Sequence, residues 1–395
     1  KSPYISNLTL TNDQVWVLTG KVAIGGDTAN SATLLIEPGT KLVGDSGKDY
    51  LLIRRGSKIV AKGSANAPIV MTSSKPAGQR ARGDWGGLVI SGNAPVNGCG
   101  LEDQEDPTQG FCELKGEGDS GLYGGNNPED NSGVLEYVVV EYAGNEVTKG
   151  DELNGIAFQG VGSGTTVDFV QVHMGFDDGF EFFGGTVNAK HLVSTCNKDD
   201  SLDWVHGWKG KAQFVLIRQC DDFANNGIEA DNNDDKRNSF PVSQPQLSNL
   251  TIIGATGDGE ASGQGILLRE GTAASIHSAI VIGFKKSCLD IDDAETMELA
   301  DAGELYIESS IVNCATNFET EDFDITPWFL AGFGNMVADP QLEGYEPGPA
   351  SPALGAGETP LDIFFDFADY IGAFDGINDW TENANGEKWI STATK

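Results

Sequence analysis

Asp177-Asp-Gly-Phe-Glu-Phe182, Asp199-Asp-Ser-Leu-Asp-Trp204 and Asn225-Asn-Gly-Ile-Glu-Ala230 are three copies of one pattern. Each sets down two acids or amides, a small residue, an apolar residue, an acid and another apolar residue. Lys286-Ser-Cys-Leu-Asp-Ile291 is a blurred fourth copy. Glu181 and Asp203 are 22 residues apart, and Asp203 and Glu229 are 26 apart. Self-similarity at a period of roughly 20–50 residues marks solenoids, propellers or arrays.

The runs between the copies select among these. Val134–Val140, Thr166–Val172, Val187–Val193, Ala212–Ile217, Leu247–Ile253, Ser275–Ile282 and Leu305–Val312 are short, rich in β-branched or aromatic residues, and alternate with period two. Such runs read as strands with one buried face. Helical periodicity is confined to Ala294–Ala300. A propeller blade needs four strands in roughly 40–45 residues, whereas this unit offers two or three in far fewer. The unit fits one coil of a parallel β-helix, growing by stacking coils on one continuous core.

The cysteines agree with the period. Cys196 and Cys220 are 24 apart, and Cys288 and Cys314 are 26 apart. Stacked coils lie about 4.8 Å apart, inside the Cα separation of roughly 4.4–6.8 Å that a disulfide spans. Cys99 and Cys112 instead bracket a polar segment without strand pattern, and read as the clasp of a projecting surface loop within a long insertion near residues 97–131. No CxxC or CxxCH occurs, which argues against haem attachment, thioredoxin chemistry and common zinc sites. Three sequential disulfides in an oxidising, extracellular compartment are the simplest reading, and six buried free thiols in a cytosolic protein are the alternative. The start at Lys1 without Met or signal peptide reads as a processed or trimmed product.

Composition closes off other classes. Twenty-five Lys+Arg against 59 Asp+Glu leave a net charge of −34, which would repel nucleic acid and anionic membranes. Nineteen Phe and seven Trp in a chain that is 39% hydrophobic can build a core, so disorder is excluded. No apolar run is long enough for a membrane-spanning helix. Walker and Gly-x-Ser-x-Gly signatures are absent.

A resemblance follows from Leu34-Leu-Ile-Glu-Pro-Gly-Thr40, Leu51-Leu-Ile-Arg-Arg-Gly-Ser-Lys-Ile-Val-Ala-Lys-Gly-Ser64, Arg82-Gly-Asp-Trp-Gly-Gly-Leu-Val-Ile90, Leu135-Glu-Tyr-Val-Val-Val-Glu-Tyr-Ala-Gly144 and the block Asp177 to His191. With the ending Asp369-Tyr-Ile-Gly-Ala-Phe374, these stretches resemble a widespread family of secreted bacterial right-handed parallel β-helix proteins, hypothetical lipoproteins or cargo of the type IX secretion system. The resemblance covers almost the whole chain. It implies a fold and an extracellular or cell-surface location but no reaction, so no catalytic residue is carried over.

Three sets of residues are candidates for chemistry. The acidic corners Asp177, Asp178, Glu181, Asp199, Asp200, Asp203, Glu229 and Asp231 recur at comparable places in successive coils. Stacked like charges are costly unless a cation, a hydrogen bond or water intervenes. Hard oxygen ligands in such numbers suit Ca²⁺. The plain alternative is turn-forming acids that bond local backbone. Two carboxyls on adjacent coils could also serve a glycosidase, and Arg218, Lys190, Lys209 or Arg269 could supply the cation of a lyase. The Gly-His-Gly and Arg-Ile-Lys elements of β-helix polygalacturonases are absent, however, and His173 and His191 sit in strands. Finally, Phe176, Phe180, Phe182, Phe183, Trp204 and Trp208 cluster around the corners; exposed rings could stack on sugar faces, core packing is the stronger reading, and His206-Gly-Trp208 is the expected exposed pair.

The sequence thus predicts an all-β protein: a single right-handed parallel β-helix over residues 1–346 with an N-terminal strand, long surface loops and three disulfides. Residues 347–395 are expected to form a tail that caps the solenoid or docks on a neighbouring subunit. The leading functional expectation is a calcium-stabilised extracellular scaffold or adhesion protein, self-assembling into a filament or surface layer and without catalysis. The alternative is a polysaccharide-binding or polysaccharide-degrading β-helix, with glycans as partners.

Overall fold

The computed structural model describes residues 2–99, 112–255 and 263–392. Among them, fifteen strands join one parallel sheet and nine join a second. In the shorter sheet, Lys21–Ile24, Tyr50–Ile53, Gly87–Ser91, Ile156–Gln159, Phe180–Phe183, Leu202–Val205, Ile228–Ala230, Gln264–Leu268 and Ser287–Ile291 lie side by side in chain order. Every neighbour is therefore the equivalent strand of the next coil. This is the β-helix expected from the period.

Register decides which residues build the core. Ile156, Phe180, Leu202, Ile228, Ile266 and Leu289 stack in one column, and Phe158, Phe182, Trp204, Ala230, Leu268 and Ile291 in another. All twelve are buried. Side chains alternate across a strand, so the residues between these columns (Glu181, Asp203 and Glu229) fall on the opposite, outer face. The interior is filled by stacked rings, Phe158 on Phe182 at 5.1 Å and Phe182 on Trp208 at 4.1 Å.

Trp208 corrects an expectation. It is fully buried, and its indole N–H donates to the Val187 carbonyl at 3.2 Å, so it is a core residue rather than half of an exposed pair. Trp208→Ala is expected to cost about 3–5 kcal/mol in urea unfolding, the usual loss for a buried ring. A loss below about 1 kcal/mol would contradict this packing.

The longer sheet bends once per coil. Tyr137, Phe169, His191, Phe214, Asn249, Ser278 and Ser309 all have left-handed φ, between 48° and 60°, and occupy one column in the register. A non-glycine residue there carries a local penalty. Repetition at one place in seven successive coils turns the strand by the same angle, so the sheets still stack. The first four of these side chains form a ring stack, with centroids 4.4, 4.1 and 5.0 Å apart.

The C-terminal segment lies along this sheet. Ala373, Phe374 and Trp389 pack on Val139, Val193 and Leu216, and Ala353 and Ile371 on Ile280 and Ile311. Side-chain amides from three coils, Gln171, Gln213 and Asn249, donate to the carbonyls of Ser391, Asp366 and Tyr370. At the other terminus, Leu8–Leu10 pairs with Thr33–Ile36.

Cys196–Cys220, Cys288–Cys314 and Cys99–Cys112 are bonded, with Cα separations of 4.7, 5.6 and 5.6 Å. The expected projecting loop near 97–131 falls partly outside the described residues. The loop clasped between Cys99 and Cys112 itself lies outside the described residues; after it comes a hairpin, Leu114–Gly116 with Gly121–Tyr123, which folds back onto the short sheet. There the Tyr50 hydroxyl donates to the Gly118 carbonyl at 2.8 Å. The turn or two of helix expected from Ala294 is present as Ala294–Ala302, capped by Asp293.

Candidate functional site

On the outer face of the short sheet the repeat produces two parallel columns of polar side chains. In one, Glu181, Asp203 and Glu229 stand directly over each other. In the other, Asn154, Asp178, Asp200 and Asn226 each lie two residues ahead of the first inward residue of their strand. This second column is a hydrogen-bonded ladder. Asp178 Oδ1 accepts the Asp200 N–H at 2.9 Å, Asp200 accepts the Asn226 N–H, and Asn226 Oδ1 accepts the Gln264 N–H at 3.0 Å. One oxygen of each aspartate is thereby committed to the coil corner.

The remaining oxygens converge. Three triads each bring one carboxylate oxygen per residue within 4.8 Å of the others: Asp177, Asp178 and Asp199; Asp178, Glu181 and Asp203; Asp200, Asp203 and Glu229. Shared members make the three a continuous run of seven acids across three coils. Of the eight acids expected as ligands, Asp231 stands apart, its carboxylate taken up by the Arg269 guanidinium at 2.9 and 3.0 Å. Arg269 also pairs with Glu229. Lys190, by contrast, pairs with Asp366 in the tail, on the long sheet. Asn232 and Asn233 are tied to Asn97, so the Asp231–Asp235 run forms a polar lock.

Burial makes this run energetically unusual. Asp178, Glu181, Asp200 and Asp231 are each less than one-tenth exposed. Burial, reinforced by Asp203 and Asp177, holds the Asp178 carboxyl well above the ordinary range, with the Asp200 N–H partly offsetting. Burial and then Glu117 and Asp203 do the same to Glu181; burial and then Glu229 raise both Asp200 and Asp203. Asp177 is pushed to about 7 by burial and Asp199, and Glu229 to about 7 by burial against the opposing pull of Arg269. For Arg269, burial works against the charge, but Asp231 and Glu229 outweigh it and raise its pKa. Asp231 is nonetheless raised, burial outweighing its bond to Arg269. The arginine therefore stays charged, and it is the acids that lack compensation.

One oxygen points to what supplies it. Asp203 belongs to two of the triads, and its Oδ1 is buried without a hydrogen-bond partner. An orphaned carboxylate oxygen among other carboxylates is poorly served by protein donors and well served by a hard divalent cation, and Ca²⁺ takes six to eight oxygens at about 2.3–2.6 Å. The donor set, all carboxylate oxygen, fits that ion.

Two neighbours stand outside the eight acids expected as ligands. Glu117, in the hairpin turn, is raised to about 8 by burial and Asp177, and Asn154 donates to both Glu117 and Glu181. Asn154-Gly-Ile-Ala-Phe158 is a further degenerate copy of the repeat, so Asn154 carried a signal; Glu117 carried none. Beside them the Tyr123 hydroxyl lies 3.1 Å from His206 Nδ1, and burial lowers His206 to about 4, keeping the imidazole neutral.

With this geometry in place, comparison with known proteins is informative. Residues 3–335 match the profile of the pectate-lyase like beta helix domain. The chain belongs to this family. Among solved structures, pectate lyase Pel9A superposes on 87% of this chain and 88% of its own, at a TM-score of 0.42 and 11% sequence identity. No curated protein sequence matches. No helix among the described residues is long and apolar enough to cross a membrane.

Proposed function

We propose that this protein is an extracellular, calcium-dependent binder of acidic polysaccharide, using the seven-acid run on the short sheet as its cation site. The observation that carries the reading is the convergence of buried, under-compensated carboxylates in three triads. Asp177, Asp178, Glu181, Asp199, Asp200, Asp203 and Glu229 would hold calcium there. A calcium ion held on a protein face accepts further oxygen ligands, among them the carboxylate of a uronic acid. Asp177, Asp199, Asp203 and Glu229 keep part of their surface in solvent, so a bound ion could be reached from outside. Membership in a pectate-lyase-like family supports a polysaccharide ligand over a scaffold role, and so shifts the weight from the scaffold expectation to its alternative. Both termini are engaged within the chain, which removes one motive for invoking a filament.

Elimination chemistry needs a base as well as a cation. Arg269 is committed to Glu229 and Asp231 with its pKa raised, the reverse of what proton abstraction requires. Binding is the function put forward, and elimination is read out directly in the test below.

The test is a binding panel of polygalacturonate, alginate and a neutral glucan, run in calcium and in chelator, with absorbance of unsaturated uronate monitored alongside. Acidic polymers are expected to bind in calcium alone, and Asp203→Asn to weaken binding at least ~10-fold. Failure of the wild-type protein to retain either acidic polymer in calcium would sink the reading. Light scattering on the same samples separates it from self-assembly, which would appear as polymer without added glycan.

A further inference from the structure

A second cluster lies on the other sheet, away from the acidic run. His277 is in the strand Ala274–Ile282, and Glu308 stands opposite it in the adjoining strand Leu305–Glu308. Glu358 comes from the C-terminal segment. Its backbone is fixed against the residue after His277: the Glu358 N–H donates to Ser278 Oγ at 2.9 Å, and Ser278 Oγ to the Glu358 carbonyl at 3.2 Å. Its carboxylate accepts a bond from Ser309 Oγ at 3.4 Å. One nitrogen of His277 and one oxygen each of Glu308 and Glu358 lie within 4.8 Å of one another.

The imidazole supplies an independent pointer. His277 is 7% exposed, and its Nδ1 is buried without a hydrogen-bond partner. The nearest carboxylate oxygen, Glu308 Oε2, stands at 3.8 Å, beyond hydrogen-bond range. A buried polar nitrogen left so is costly unless a partner supplies it. The imidazole stands beside both carboxylates, and Tyr306 packs against it edge-on at 5.6 Å.

We propose that His277, Glu308 and Glu358 form a zinc site that fastens the C-terminal segment to the solenoid. One imidazole nitrogen with two carboxylates suits Zn²⁺, whereas calcium takes oxygen alone. Three protein ligands leave a fourth position for water, and a cavity of about 500 Å³ lined by Ser309, Met336, Gly357 and Glu358 opens alongside. Two ligands belong to consecutive coils and the third to the segment laid over them, so zinc at this point cross-links solenoid and tail where the packing cluster of Ile280, Ile311, Ala353 and Ile371 lies.

The experiment titrates Zn²⁺ into the metal-stripped full-length protein by calorimetry, with calcium saturating to occupy the acidic run. Wild type, His277→Gln and Glu358→Gln are compared. Glu358 is exposed, so its variant folds even if the buried histidine's does not. The expected result is one zinc per chain in the wild type, at least ~10-fold weaker in both variants. Zinc should also slow amide exchange across residues 355–373 in wild type but not in Glu358→Gln. Absence of a stoichiometric zinc, or equal affinity in wild type and Glu358→Gln, overturns the proposal.

Discussion

In a calcium chelator at pH 8 the protein is expected to melt about 10 °C below its calcium-loaded form, the combined effect of up to three ions at well above their dissociation constants. The direction follows from the acidic run. Asp177 and Glu229 titrate near 7 in the folded chain, and Asp178, Glu181, Asp200 and Asp203 are also raised; free carboxyls titrate near ~4. Between those values the folded state holds more protons than the unfolded one, so stability falls as pH rises. For Asp177 and Glu229 the favourable contribution is complete below about pH 4 and disappears as pH passes through about 7. Calcium replaces the protons of the run and flattens the decline, leaving the part that Glu117 and Glu270 contribute.

Thermal melts from pH 6.5 to 8 in chelator and in calcium provide the measurement. His206 is excluded by that window, because its depressed pKa of about 4 costs stability only as pH falls below about 6.5. Asp203→Asn sharpens the comparison: it removes a buried charge, so it should raise the melting temperature in chelator while shrinking the calcium increment. Identical pH slopes with and without calcium would mean that the run binds no ion. A variant destabilised equally in both conditions would make Asp203 structural.

The sequence carried the period and the faces because both are local. Glu181, Asp203 and Glu229 fall at one place in the repeat, and two-residue alternation alone puts them opposite Phe180, Phe182 and Trp204. What alternation cannot give is where a chain excursion lands. Glu117 enters the site through a hairpin folded back across the sheet, and Trp208 leaves the corner for the core because the coil interior has room for a ring on Phe182. The bend column was hidden for another reason: Tyr137, Phe169, His191 and Phe214 look like ordinary strand residues, and nothing in an aromatic side chain announces a left-handed φ. The zinc candidate joins His277 to Glu358 across 81 positions of sequence, a proximity created by the tail's path.

Arg269→Ala is expected to cost about 3 kcal/mol in chelator, at the lower end for a broken buried pair because the guanidinium keeps some solvent. Arg269 serves two acids at once, Asp231 through Nε and Nη2 and Glu229 through Nη2. A lysine has one ammonium and no fork, so Arg269→Lys should recover only part of the loss. The mechanism is separable from simple loss of packing. If the cost is the stranded charge of Glu229, then Arg269→Ala in a Glu229→Gln background should cost less by about 1 kcal/mol or more, a coupling that urea unfolding resolves. Glu229 freed from Arg269 is also a better ligand for the third triad, with Asp200 and Asp203. Calcium should therefore stabilise Arg269→Ala more than it stabilises the wild type. Additive losses and an unchanged calcium increment would separate Arg269 from the acidic run, and leave the run to be neutralised by bound cations alone.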